Sequence, residues 1–156
     1  MKRFAMTALA TCILAGISFA AALPAGASGR HHHETSLHAL RRATAKYHHL
    51  GATLASGRVD LHLCMDHMGE HFADPTTFSD GVLDPRNPEA MVYEHARHGR
   101  LELVAVEWVS DVPGTVMGIP LHFNPDVSLW VLHAWIWKHN PDGLFQDMNP
   151  RVGNCP

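Results

Sequence analysis

Six of the ten prolines follow Asp or Asn, at Asp74-Pro75, Asp84-Pro85, Asn87-Pro88, Asn124-Pro125, Asn140-Pro141 and Asn149-Pro150. A proline has no N–H and pushes the residue before it out of the α region, while Asp and Asn side chains bond their own backbone two residues on. Each such pair starts a turn. Spread from residue 74 to residue 150, they exclude helix before each proline and make much of the fold ordered loop. What they permit is short strands joined by ordered loops.

The apolar pattern agrees. Over residues 35–56, Leu37, Leu40, Ala43, Tyr47, Leu50 and Leu54 recur at steps of three and four between Arg41, Arg42, Lys46 and His48. This predicts one amphipathic helix, capped by Thr35 or Ser36 and stopped by Gly57. Residues 59–63 alternate as a short strand, and residues 66–90 lose all periodicity and read as loop. Strand character returns at 90–95, 101–110, 120–123 and 127–138, with a hairpin turn at 96–100. The segments 101–110 and 127–137 are apolar on both faces, as buried strands are. The expected fold is α+β: one N-terminal amphipathic helix packed on a curled, mainly antiparallel sheet with long ordered loops.

The start of the chain has another character. Lys2 and Arg3 precede an apolar, small-residue run from Phe4 to Leu23, and Ala25-Gly26-Ala27 offers the small side chains a signal peptidase reads. That order predicts a cleavable signal peptide over 1–27 and a secreted or periplasmic protein with no membrane contact once the leader is gone. A disordered His-rich leader, 28–34, and a single globular domain, 35–156, would follow. Loss of Lys2 and Arg3 takes the formal charge from −3 to −5, so nucleic acid is not an expected partner. Of the cysteines, Cys12 leaves with the signal, and Cys64 and Cys155 form a pair that oxidation would bridge. The competing reading makes Cys64 a free thiolate ligand.

All 14 histidines lie beyond residue 27, so metal binding is the first chemistry to consider. A phosphate-binding glycine loop, a Gly-x-Ser-x-Gly elbow, a Cys-x-x-Cys pair and a His-Glu-x-x-His helix are all absent. His31-His32-His33 would chelate Cu(II) or Ni(II) only if processing left His31 third in the chain, and cleavage after Ala27 leaves it fourth. The densest cluster runs from His62 to His71 and mixes three imidazoles, two thioethers, a cysteine and two carboxylates.

Glu107 and His133 carry more weight, because each sits mid-strand among apolar neighbours. Glu107 is expected to share a face with Leu103, Ala105 and Val109, and His133 with Val131, Trp135 and Trp137. A carboxylate buried there needs a cation or a proton. A transition metal held by His71, Glu107, His122 and His133 supplies one, zinc or copper suiting a carboxylate with imidazoles. A plain Glu–His ion pair would also do. Three functions follow: an exported metal-binding protein, a secreted metalloenzyme on the same site, or a metal-free module that takes a small apolar molecule on its tryptophan-bearing face.

The motifs GVLDPRNPEAMVYE, LVAVEW and WIWKHNPDGLFQDMNPRV, taken together, resemble a group of secreted bacterial proteins without an assigned activity. That group shares a Gly-x-His loop, a Val-Glu-aromatic strand and a His-aromatic-Asn-Pro C-terminal segment. The likeness spans roughly residues 40–156 and implies export and a compact fold.

Overall fold

The computed structural model describes residues 36–156; the expected signal peptide, the expected His-rich leader and Thr35 lie outside the described residues. Helix α1 covers 36–44 and gives way to a 3-10 turn, Ala45–His48, and a short helix α2, Leu50–Ala55. The single unbroken helix expected over 35–56 is thus interrupted. His49, with φ −97° and ψ 108°, is extended. The break lets Tyr47 turn inward: its ring is buried and its carbonyl accepts the Tyr93 hydroxyl at 2.6 Å. Gly57 ends the segment with φ +92°.

Eight strands follow: β1 Val59–Met65, β2 Gly69–Ala73, β3 Ala90–His95, β4 Leu101–Ser110, β5 Thr115–Val116, β6 Ile119–Pro120, β7 His122–Asn124 and β8 Leu129–Ala134. Six of them form one curled antiparallel sheet in the order β1-β2-β3-β4-β8-β7, and β5 and β6 make a separate ribbon. The α+β class stands. Residues 96–100 connect β3 to β4 as expected, with the Ala96 N–H donating to the Arg100 carbonyl at 2.7 Å.

The strand expectations also need correction. Residues 66–90 are not all loop, because β2 lies within them and pairs with both β1 and β3. Gly69 opens it at φ +112°, where an added Cβ would sit 2.3 Å from the Tyr93 carbonyl oxygen. Only glycine allows the two backbones to approach so closely. At the other end, β8 stops at Ala134 instead of running to residue 138. The Trp137 and Lys138 N–H groups instead donate to the single carbonyl of Val104, at 3.2 and 3.1 Å.

That carbonyl belongs to a bulge. Val92 pairs with Ala105 and Tyr93 with Leu103, so β4 carries one extra residue, Val104. The bulge switches Leu103 to the opposite face from Ala105, which the alternation over 101–110 had placed together. On one face Leu103, Val106, Trp108, Met91, Tyr93 and Leu132 meet Leu40 and Tyr47 from the helical segment. On the other, Ala73, Ala90, Val109 and Val131 face Leu61, Phe78 and Leu129. This second, inner face holds the polar residues of interest.

Cys64 and Cys155 are bridged, with Cα atoms 5.9 Å apart. The last residues lie along the β1–β2 turn: the His67 N–H donates to the Gly153 carbonyl, the Asn149 N–H to the His67 carbonyl, and the Cys155 N–H to Asp66 Oδ1. No helix among the described residues is long and apolar enough to cross a membrane.

A buried histidine–glutamate cluster

Sheet register brings three of the four expected ligands together. Glu107 on β4 pairs directly with His133 on β8, and its other neighbour across the sheet is Ala90. His71, on β2, pairs with Val92 beside Ala90. Because Ala90 has nothing beyond Cβ, the Glu107 side chain can reach His71 across β3 on the curled sheet. His71 Nε2 lies 3.7 Å from Glu107 Oε2, and His133 Nε2 lies 3.5 Å from Glu107 Oε1. All three side chains are buried. They form a group whose donor atoms lie within 4.8 Å of one another.

Both gaps exceed the 2.7–3.2 Å of an ordinary hydrogen bond. A tetrahedral ion with bonds of about 2.1 Å separates its donors by about 3.4 Å, close to what is observed. The outer atoms of the rings are set for the same task. His71 Nδ1 lies 2.9 Å from the Leu63 carbonyl, an acceptor, so Nδ1 donates there and Nε2 is the nitrogen turned to Glu107. His133 Nδ1 faces Asp147 Oδ1 at 3.4 Å. Neither ring nitrogen of His133 has a hydrogen-bond partner, and the ring is only 1 % exposed. Buried nitrogens in that condition call for a ligand.

Without an ion, charge compensation falls to a proton. Burial pulls the His133 pKa down, but the Glu107 carboxylate and then Asp147 outweigh it and hold it above the usual histidine value. The His133 ring holds the Asp147 carboxyl below the usual range against partial burial, and His122 adds to the effect.

Asp147 is the residue that sequence reasoning missed. It lies between Asn140-Pro141 and Asn149-Pro150, where no periodicity exists. Its place is set by neighbours on both sides: Trp135 Nε1 donates to the Gln146 carbonyl at 2.5 Å, and Asn140 Nδ2 to the Met148 carbonyl at 2.8 Å. Trp135 also stacks on His133, ring planes 13° apart, and so locks the imidazole from its side. The only available signal was the pair of Asn-Pro turns that fold this segment back onto β8.

His122 stands outside the group. It pairs with Val131, so the position opposite His133 would be residue 120, before β7 begins. Its exposed ring contacts Asp147 Oδ2 at 2.9 Å. The His62–His71 cluster is also dispersed: His62 points to solvent, His67 bonds the Val152 carbonyl and Cys64 is bridged. Cys64, Glu70 and His95 converge as well, but the Cys64 sulfur is spent in the disulfide.

A cavity of about 70 Å³ opens onto the three donors. Apart from His71, Glu107 and His133, its one polar lining residue is Asn124, and the rest are carbon and thioether side chains such as Leu61, Phe78, Val109 and Val131. The four tryptophans do not line it. Trp108 is core, Trp130 packs on Phe123 and Trp137 on His48. Comparison of the chain with protein-family models, with curated proteins and with solved structures finds no match.

Proposed function

We propose that this chain is an exported protein that binds one transition-metal ion through His71, Glu107 and His133. The observation that carries this reading is the buried pair of gaps, 3.5 and 3.7 Å, between Glu107 and the imidazoles of His133 and His71, with the buried His133 ring nitrogens left without a hydrogen-bond partner. Two imidazoles and a carboxylate, with Cys64 withheld in a disulfide, suit zinc first and copper(II) second. Asp147 and the Leu63 carbonyl orient the two rings from behind, as outer partners of metal-bound histidines do. Export is supported by the leader-like residues 1–27, by the likeness to secreted bacterial proteins and by the disulfide, which suits an oxidising compartment.

Three protein donors would leave a tetrahedral ion one open position, and the same three residues line the cavity. That favours, as a second reading, a metalloenzyme on the same three residues. The test of metal binding is stoichiometry. Purified protein stripped by chelation should take up one zinc or copper ion per chain, His122→Ala should do the same, and His71→Ala and His133→Ala should not. Wild-type protein that takes up neither metal and melts at an unchanged temperature overturns the proposal.

A further inference from the structure

The geometry points to a ligand class for this cavity: a short-chain aliphatic monocarboxylate, its carboxylate at the metal position and its hydrocarbon tail among Leu61, Phe78, Val109, Leu129 and Val131. This inference rests on the metal reading above.

The lining selects the tail. Water in a cavity needs two to four polar partners, and beyond the three metal donors this one offers only Asn124, whose Oδ1 already accepts the Asp126 N–H. An aliphatic group loses nothing there and leaves water on entering.

Charge selects the head. A divalent ion with Glu107 as its sole charged ligand keeps one positive charge in a buried setting, where an unbalanced charge is costly. The next carboxylate, Asp147, is shared with His122 at 2.9 Å. An anionic donor at the fourth position completes the balance; a neutral alcohol or amine does not.

Size selects the length. An apolar cavity of about 150 Å³ accepts benzene, so about 70 Å³ corresponds to roughly three carbons. Beyond that, a chain passes the half-buried rim of Leu61, Asn124, Val127 and Leu129 into solvent.

The experiment uses zinc-loaded protein, with zinc stoichiometry measured first and acid binding then followed by calorimetry. From acetate to propionate to butyrate the affinity should rise about fourfold per methylene, the effect of removing each from water. Hexanoate should gain no more than about twofold over butyrate, because its added carbons stay wet. Alcohols of matched length should bind at least tenfold more weakly than the acids. Val127→Phe, at the rim, should keep its zinc and lose the dependence on chain length. Phe78→Ala, which widens the cavity, should extend that dependence to hexanoate. Zinc-loaded protein that binds all the acids equally, or the alcohols as well as the acids, overturns the inference and leaves the metal reading standing. Failure to bind zinc overturns both, and the stoichiometry identifies that case.

Discussion

Replacing Glu107 with glutamine keeps the shape of the side chain and removes the only charged donor of the three. Its oxygens face His133 and His71 at 3.5 and 3.7 Å, a few tenths of an ångström from the roughly 3.4 Å donor spacing of a tetrahedral zinc, so little rearrangement is needed to seat the ion. Free zinc at about 100 times its dissociation constant stabilises the native state by about 2.7 kcal/mol. For a domain of this length, about 1 kcal/mol moves the melting temperature by roughly 3–5 °C, so zinc should raise the wild-type Tm by about 8–13 °C. Loss of the charged ligand should weaken binding by about a hundredfold or more. At the same zinc concentration that leaves about 0.4 kcal/mol, a shift of about 2 °C or less. Scanning calorimetry of both proteins, with zinc and with chelator, reads the difference directly. A Glu107→Gln protein whose zinc shift matches the wild type refutes the assignment of Glu107 as a ligand.

Asp147→Asn should bind zinc about 10–100-fold more weakly, because the His133 ring loses its anchoring carboxylate. Calorimetric titration checks this, and an unchanged affinity would remove Asp147 from the site. Glu89 supplies a pH test away from the metal. Burial raises its pKa to about 7, with Asp80 adding to the effect and the Val109 N–H and Arg58 opposing it. An acid whose folded pKa lies above its ordinary 4.5 favours the native state fully below that value, and this contribution is lost as pH climbs towards 7. Glu89→Gln, which can still accept from the Val109 N–H, should therefore match wild type near pH 4.5. It should be about 2 kcal/mol more stable at pH 8, allowing for partial solvent screening of the carboxylate. Urea melts at the two pH values decide, and an equal effect at both would show that ionisation of Glu89 is not the cause. Joint replacement of Cys64 and Cys155 by serine opens a loop with a sequence separation of 91 and should cost about 4–5 kcal/mol in unfolding free energy. A loss below about 1 kcal/mol would mean that the hydrogen bonds along the β1–β2 turn hold the segment unaided.

Glu107 and His133 were readable from sequence because a strand alternates with period two, and a charged residue among apolar ones stands out. Their mutual contact was not readable, since it depends on β4 and β8 being neighbours in a particular register. His71 was readable only as a member of a crowded histidine segment. The strand that carries it is five residues long and begins at a glycine whose role appears only where the Tyr93 carbonyl approaches it. His122 falls outside the cluster because a strand signal does not carry register: it lies opposite Val131, one pair of positions from His133, and meets Asp147 instead. The break at His49 and the bulge at Val104 left no mark in the apolar pattern, because both interrupt stretches whose side chains suit a regular element. Asp147 could not have been found by periodicity at all.

The strap that runs from Asn140 to Cys155 ties completion of the cluster to oxidation. One stretch of chain supplies both the carboxylate behind His133 and the sulfur that oxidises onto Cys64, so the His133 environment is complete only once this strap has docked. In a reducing interior the docking would lack its covalent latch and rest on the hydrogen bonds along the β1–β2 turn alone. On the proposed reading of an exported, metal-binding chain this amounts to delayed arming: ion capture would become effective where thiols are oxidised.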